Sequence, residues 1–253
     1  MHLIIVSVFG APWEKKCKIF RDMGYTADYL RLDTKDYYIP HTRQRGYLFA
    51  VRTNSSSSSK TDMRAEQWKK LVTSCRRSAS ATLDDYLLPH DDPRVLRGRA
   101  RLTAEASDGD GNRAGRTDWT KCETRHLAAR SNEELGEKRP LTGWSESGKT
   151  NLPGRFWTEW FDSQVNRIHD LTDINTLRLA TDGVDPTYKT MVWNLSQNVD
   201  RDTLGRLGLC QCLTPTGVPF LSSRGGPLVG HELLMLQGIP ADDLLFTKET
   251  EDK

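Results

Sequence analysis

Two arginines one residue apart, Arg43 and Arg45, sit in the stretch YYIPHTRQRGYLFAVR, residues 37–52. Side chains at i and i+2 of an extended chain point to the same side, so two guanidinium forks could converge on one ligand. Guanidinium donates parallel hydrogen bonds to oxygen acceptors, which suits a phosphate or a base oxygen better than ammonium does. A β-hairpin with a solvated basic turn is the plainer alternative. Between Arg43 and Arg77 there are nine Lys or Arg and only Asp62 and Glu66 as acids, a local net charge of +7 in a chain whose total is +2. That segment includes Arg52, Lys60, Arg64, Lys69 and Lys70 and could attract a polyanion.

Two other constellations invite chemistry and do not sustain it. GWSESGKT, residues 143–150, matches the GxxxxGK[ST] phosphate loop letter for letter. Such a loop needs a buried strand before it and a helix after it. Here EKRPLT precedes it, and NLPGR, with Pro153 and Gly154, follows. The five cysteines are Cys17, Cys75, Cys122, Cys210 and Cys212. They are odd in number and widely spread, which argues against a disulfide framework and for a reducing compartment. Neither the Cys210/Cys212 CxC nor Cys122 with His126 has a second pair at zinc-site spacing, so no metal is expected.

The elements that must position Arg43 and Arg45 follow from the pattern around them. Leu3 to Phe9 is a continuous apolar run that predicts a central parallel strand. It is too short for a secretory leader, lacks a preceding Lys or Arg, and no segment is long enough to span a bilayer. Trp13, Cys17 and Phe20 share one face of a helix, which Gly24 stops. Strands are expected over Tyr25–Leu32 and Gly46–Arg52. The second of these should run antiparallel to the first, because the loop between them is too short for a crossover helix. This is the rhythm of an α/β sheet.

Residues 53–60 hold five consecutive serines and read as a flexible linker. A helix with Trp68, Leu71, Val72 and Cys75 on one face follows. From residue 78 to about 154 no period is sustained. Residues 94–139 carry eleven basic and eight acidic side chains and few large apolar ones, so irregular, partly disordered structure is expected there. Phe156, Trp157, Trp160, Phe161, Val165 and Ile168 predict one aromatic helix face that must be buried. A short helix at Leu233–Leu236 should end at Gly238 and Pro240.

IPHTRQRGYLFAV resembles the eighth conserved motif of cytosine-C5 DNA methyltransferases, an Ile-Pro-Gln followed by two arginines one residue apart and a strand. CLTPTGVPFLSSRGGPLVGHELLMLQGIP resembles the ninth, through Glu232, Leu236, Gln237, Gly238 and Pro240. LDTKDYYIPHTRQR and LQGIP look most like the fungal branch, in particular the one whose methyltransferase domain is fused to an ATPase. The resemblance implies a class I methyltransferase, Rossmann-like fold: α/β, a partial doubly wound sheet with an inserted irregular α+β target-recognition region. It divides the chain into a part of the catalytic subdomain (1–52), a target-recognition region (53–205) and a returning ninth-motif segment (206–253).

In that family a cytosine is flipped from the duplex, a thiolate attacks C6, and C5 takes a methyl group from S-adenosylmethionine. The resemblance implies that Arg43 and Arg45 steady the base oxygen and a nearby phosphate. Double-stranded DNA is then the partner, the nucleus the location, and Arg52, Lys60, Arg64, Lys69 and Lys70 further DNA contacts. Glu232 is expected to accept hydrogen bonds from local backbone or an arginine. The family's basic residue is replaced near it by Gly226 and Pro227, which leaves Arg224 as the candidate.

The departures are as specific as the matches. The family nucleophile is a cysteine directly after proline, and the five cysteines here follow Lys16, Ser74, Lys121, Leu209 and Gln211. Val6, Ser7 and Val8 stand where the family has Glu-Asn-Val, and His41 replaces a glutamine. The glycine-rich cofactor loop and the final Asn-containing motif have no counterpart. The expectation is therefore a methyltransferase fragment, inactive alone, whose nucleophile and cofactor loop would come from a missing N-terminal half. The competing reading is a catalytically dead DNA-binding module.

Overall fold

A computed structural model of the chain describes residues 3–8, 12–52, 58–107, 119–143 and 152–243. The GKT-bearing stretch 144–150, residues 53–57 of the serine run and residues 108–118 lie outside these. The chain divides into two compact units, Met1–Ala81 and Thr82–Lys253, and its architecture is mixed α/β.

The first unit contains β1 (Leu3–Val8), α1 (Trp13–Asp22), β2 (Tyr25–Asp33), β3 (Gln44–Arg52) and α2 (Ser58–Ser74). The strand order is β1-β3-β2, and both pairings are antiparallel. The expected antiparallel pairing of the second and third strands is present. The expected central position of the first is not: β3 is central and β1 lies at an edge of this three-stranded sheet. The reason is in β3 itself. Its run Leu48 to Val51 is buried residue after residue, because both faces are covered. Leu48 and Ala50 pack with Cys17 and Ala27, flanked by Trp13 and Phe20 of α1. Phe49 and Val51 pack with Ala65 and Trp68 of α2.

Gly24, at φ +82°, takes the left-handed position just past α1. Helix α2 begins inside the serine run, so Ser58, Ser59 and Lys60 are helical and not linker. Its covered stripe is Ala65, which is buried, with Trp68 and Val72 half-buried, spaced i, i+3, i+7. Leu71 is 65% exposed and Cys75 is exposed, so the predicted face is rotated by one residue. The stack of Trp68 on Phe49, with ring centroids 5.0 Å apart, fixes that rotation.

The second unit contains α3 (Pro93–Ser107), α4 (Trp119–Asn132), α5 (Thr158–Asp162), α6 (Asn166–Thr181), β4 (Val192–Asn194), β5 (Pro219–Leu221), β6 (Gly226–Pro227) and α7 (Gly230–Met235). The three short strands form one antiparallel sheet. Where irregular structure was expected, α3 and α4 stand. Pro93 occupies the first turn of α3, where its missing N–H costs nothing, and Asp92 accepts the Arg94 N–H at 2.8 Å. Val95 and Ala129 reach the main core with small side chains that leave little periodic trace.

The aromatic residues are buried as expected but not on one helix: Phe156 and Trp157 precede α5, Trp160 and Phe161 lie on it, and Ile168 is on α6. Phe220 is the hub, with Trp160, Phe161, Trp193 and Phe156 at centroid distances of 5.6 to 6.2 Å. Ser163 Oγ and Gln164 Nε2 both donate to the Trp160 carbonyl, satisfying the end of α5 and separating it from α6.

Candidate functional site

Arg45 lies in β3, opposite Leu32, and Arg43 immediately precedes the strand. What holds them is Asp33, the last residue of β2. Its carboxylate accepts the Thr42 hydroxyl at 2.9 Å, the Arg43 N–H at 3.0 Å and the Lys35 N–H at 3.4 Å. Burial raises the Asp33 pKa, and these hydrogen bonds outweigh it, so the carboxyl is held below its ordinary value. One ionised side chain thereby clasps both ends of the 35–43 loop.

Within the loop, His41 is buried, and burial, with Arg43 adding to it, lowers its pKa to about 4. It is neutral at pH 7 and adds no third charge to the arginines. Tyr38 holds φ at +70°, a left-handed conformation costing a non-glycine residue of order 1–3 kcal/mol. Backbone pairing fixes it there: Tyr38 N–H donates to the Arg77 carbonyl at 3.1 Å, and Arg77 N–H to the Asp36 carbonyl at 2.7 Å. The exposed Arg76–Arg77 turn is thus tied to the loop that leads into Arg43.

The other predicted cations are dispersed. Arg52 ends β3 opposite Tyr25, seven residues and roughly 23 Å of extended strand from Arg45. Lys60 is in α2, with its side chain outside the described residues, and Arg64 is exposed on the same helix. Lys69 pairs with Asp28 at 2.5 Å and Lys70 with Glu66 at 2.9 Å. The charged segment is therefore not one continuous stripe.

In the second unit, Glu232 and Arg224 form a buried bidentate ion pair, at 0% and 1% exposure. Arg224 Nη1 and Nη2 donate to the two carboxylate oxygens at 2.9 and 2.6 Å. The Leu88 and Val229 N–H groups donate to the same carboxylate at 2.9 and 3.0 Å, and Arg224 Nη2 also donates to the Leu88 carbonyl at 3.0 Å. Leu236 is fully buried, Gln237 is exposed and caps the Leu233 carbonyl, Gly238 adopts φ +77°, and Pro240 is exposed. The Gly225–Gly226 pair permits close approach. A Cβ on Gly226 would stand 2.4 Å from the Trp157 ring, and one on Gly225 2.0 Å from Phe156.

Reasoning from sequence missed a second polar network, on α6. Asp170 is wholly buried and accepts from Arg130 at 2.8 Å and Arg139 at 3.0 Å, with His126 Nδ1 at 2.8 Å. Asp173 accepts from the Leu141 and Thr142 N–H groups and the Thr142 hydroxyl, while burial raises its pKa to about 6. Asp33 was also missed, although an Asp at a strand end beside a Thr is a recurrent clasp for a following loop. Among the described residues no three His, Cys, Asp or Glu side chains are grouped as a metal site requires, and no helix is long and apolar enough to cross a membrane.

The family of C-5 cytosine-specific DNA methylases matches residues 7–200 of the chain. The chain belongs to this family. It is 45% identical over 252 residues to the DNA (cytosine-5-)-methyltransferase DMT5 of Cryptococcus neoformans var. grubii, a match covering 99% of this chain and 10% of that protein. It is 30% identical over 258 residues to the protein of the same name from Verticillium dahliae, covering 98% of this chain and 11% of that one. The chain thus spans about a tenth of the length of the curated relatives it matches. Arg43 and Arg45 lie in one compact unit of the chain and Glu232 in the other.

Proposed function

We propose that this chain supplies the nucleotide-holding and DNA-reading portion of a DNA (cytosine-5-)-methyltransferase. The observation that carries the reading is the Asp33 clasp, which anchors the loop of the family's arginine pair at the head of a strand buried on both faces. Arg43 and Arg45 steady the oxygen of an extruded cytosine and its phosphate, and residues 53–205 read double-stranded DNA. Residues 1–52 belong to a partial doubly wound, Rossmann-like sheet, and residues 206–253 form the family's ninth-motif segment. Nuclear localisation follows from that substrate.

The chain's own thiols are poor candidates for the nucleophile. None follows a proline, burial pushes Cys210 up to about 12, and burial also raises Cys17. One cavity among the described residues does not fit S-adenosylmethionine either. The cavity lined by Val192, Trp193, Asn194, Gln211, Cys212 and Pro219 offers about 10 Å³, space for one water, and no carboxylate to take a ribose. The nucleophile and the cofactor site are therefore assigned to sequence outside this chain, in an N-terminal half of the methyltransferase domain.

The test is complementation with the corresponding N-terminal segment of the Cryptococcus relative, carrying a Pro-Cys pair and a cofactor loop. Methyl incorporation into cytosine of duplex DNA is expected. Arg43→Ala or Arg45→Ala should reduce it about 100-fold, the order seen for loss of one preorganised donor. No incorporation by the complemented protein would refute the assignment. The absent Pro-Cys pair also favours a second reading, a catalytically dead DNA-binding module. It is supported if the chain alone binds duplex DNA with a steep salt dependence while complementation yields no transfer.

A further inference from the structure

Tyr188 is the most exposed of the large hydrophobic side chains described, at 79%. An aromatic ring this exposed is not held there by packing. Its position is nevertheless built. The Asp185 carboxylate accepts the Thr187 N–H at 2.8 Å and the Thr187 hydroxyl at 2.6 Å, and Tyr188 N–H donates to the Asp185 carbonyl at 3.2 Å. The Asp185 carboxylate is exposed, and one of its oxygens is engaged by the turn itself. Arg155 lies over the Tyr188 ring at 5.3 Å from its centroid, and its guanidinium donates to the Thr187 carbonyl. Lys189 follows, exposed like Arg155. Among the described residues no carboxylate is recorded within ion-pair distance of either cation.

We propose that Tyr188, Arg155 and Lys189 form a contact for the sugar–phosphate backbone of duplex DNA. The inference rests on the DNA-methylase reading above and adds a binding surface within Thr82–Lys253 to it. A cation over one face of the ring orders the side chain and leaves the rest open, so the ring can pack on a deoxyribose while its hydroxyl donates to a phosphate oxygen. Tyr, Arg and Lys are among the side chains that make such backbone contacts, which position a protein on the duplex without reading sequence. The site therefore orients DNA and does not choose the base.

Duplex affinity of the full chain, measured at several salt concentrations on two DNAs of unrelated sequence, tests this. Tyr188→Ala should weaken binding about tenfold on both DNAs, and Tyr188→Phe should retain the ring contribution and lose the hydroxyl's. Arg155→Ala and Lys189→Ala should each lower the slope of log affinity against log salt by about one. If these variants bind like the wild type while Arg43→Ala and Arg45→Ala bind weakly, the surface is not a DNA contact although the reading above stands. If Tyr188→Ala lowers affinity for one DNA only, the contact reads bases and the backbone assignment is wrong. A wild-type chain with no salt-dependent DNA binding would overturn both.

Discussion

Removing one member of the Glu232–Arg224 pair should be among the most costly single changes in the second unit. Glu232→Ala deletes the acceptor of four hydrogen bonds, two from Arg224 and one each from the Leu88 and Val229 N–H groups. It leaves a guanidinium at 1% exposure with the Leu88 carbonyl as its remaining partner among these contacts. Breaking a buried pair from one side costs about 3–5 kcal/mol, because the other charge stays desolvated and uncompensated. Arg224→Met strands the carboxylate in the same way. The double variant Arg224→Met, Glu232→Leu strands no charge, only two N–H groups and a carbonyl. It should therefore cost less than the sum of the single changes, by about 1–3 kcal/mol. Urea unfolding followed by circular dichroism measures this. At a slope of about 2–3 kcal/mol per molar, each single change should lower the midpoint of the second unit's transition by roughly 1–2 M. A single variant within 1 kcal/mol of the wild type, or strict additivity in the double, would refute the argument that desolvated charge dominates here.

Asp33→Asn should loosen the arginine loop, costing the first unit about 1–2 kcal/mol through weakened charge-assisted hydrogen bonds. It should also reduce DNA affinity without changing the salt slope, read by fluorescence anisotropy, because no cation is removed. The first unit should lose stability as pH falls from about 6.5 toward 4. The unfolded chain takes up a proton on His41 at its ordinary value, while the folded one resists until about 4. His41→Asn should flatten that part of the profile. Asp173 has the opposite sign: its folded value near 6 lies above the ordinary 3.8, so its contribution to the second unit is full below about 3.8 and lost as pH rises through 6. Asp173→Asn should remove that dependence in a pH series of thermal unfolding. Gly46→Ala places a Cβ 2.0 Å from the Trp13 ring and should destabilise the first unit by about 1–3 kcal/mol. Trimming the ring with Trp13→Leu should recover part of the loss, and no recovery would mean the clash lies elsewhere.

The first 52 residues were legible in chain order because each element there follows a local rule. A face at i, i+4 and i+7 ends at a left-handed glycine, and a short loop forces β3 antiparallel to β2. Strand order was not legible, because LIIVSV and YLFAV are equally apolar. Which of them lies between two helices is settled by partners distant in sequence. Helix α6 defeats periodicity more thoroughly. Arg167, His169, Asp170, Thr172, Asp173 and Asn175 are all buried on it. Thr172 donates to the Ile168 carbonyl of the same helix, and the partners of the others come from α4, the 139–142 turn, Phe161, the Leu195 and Gln197 carbonyls and Thr203. A polar residue satisfied by another side chain looks, in one dimension, like a solvated one. Arg43 and Arg45 could be found from their spacing. Asp33, which holds them, acts through backbone N–H groups and a Thr42 hydroxyl nine residues away, a pairing that local periodicity does not reveal.

The reach of the Glu232 carboxylate along the chain has a consequence for the order of folding. Its Leu88 donor lies 144 residues earlier, and Leu88 and Arg224 are 136 apart. The entropy of closing so long a loop grows only logarithmically and costs stability little, but contacts of this separation form late and slow the approach to the native state. During synthesis the Leu88 segment and α3 must wait, with their polar groups turned to water, for nearly all of the second unit to be made. Helix α7, which carries Glu232, is thus the closing piece of this unit. Pulse-labelled hydrogen exchange should find the Leu88 and Val229 amides among its last to become protected.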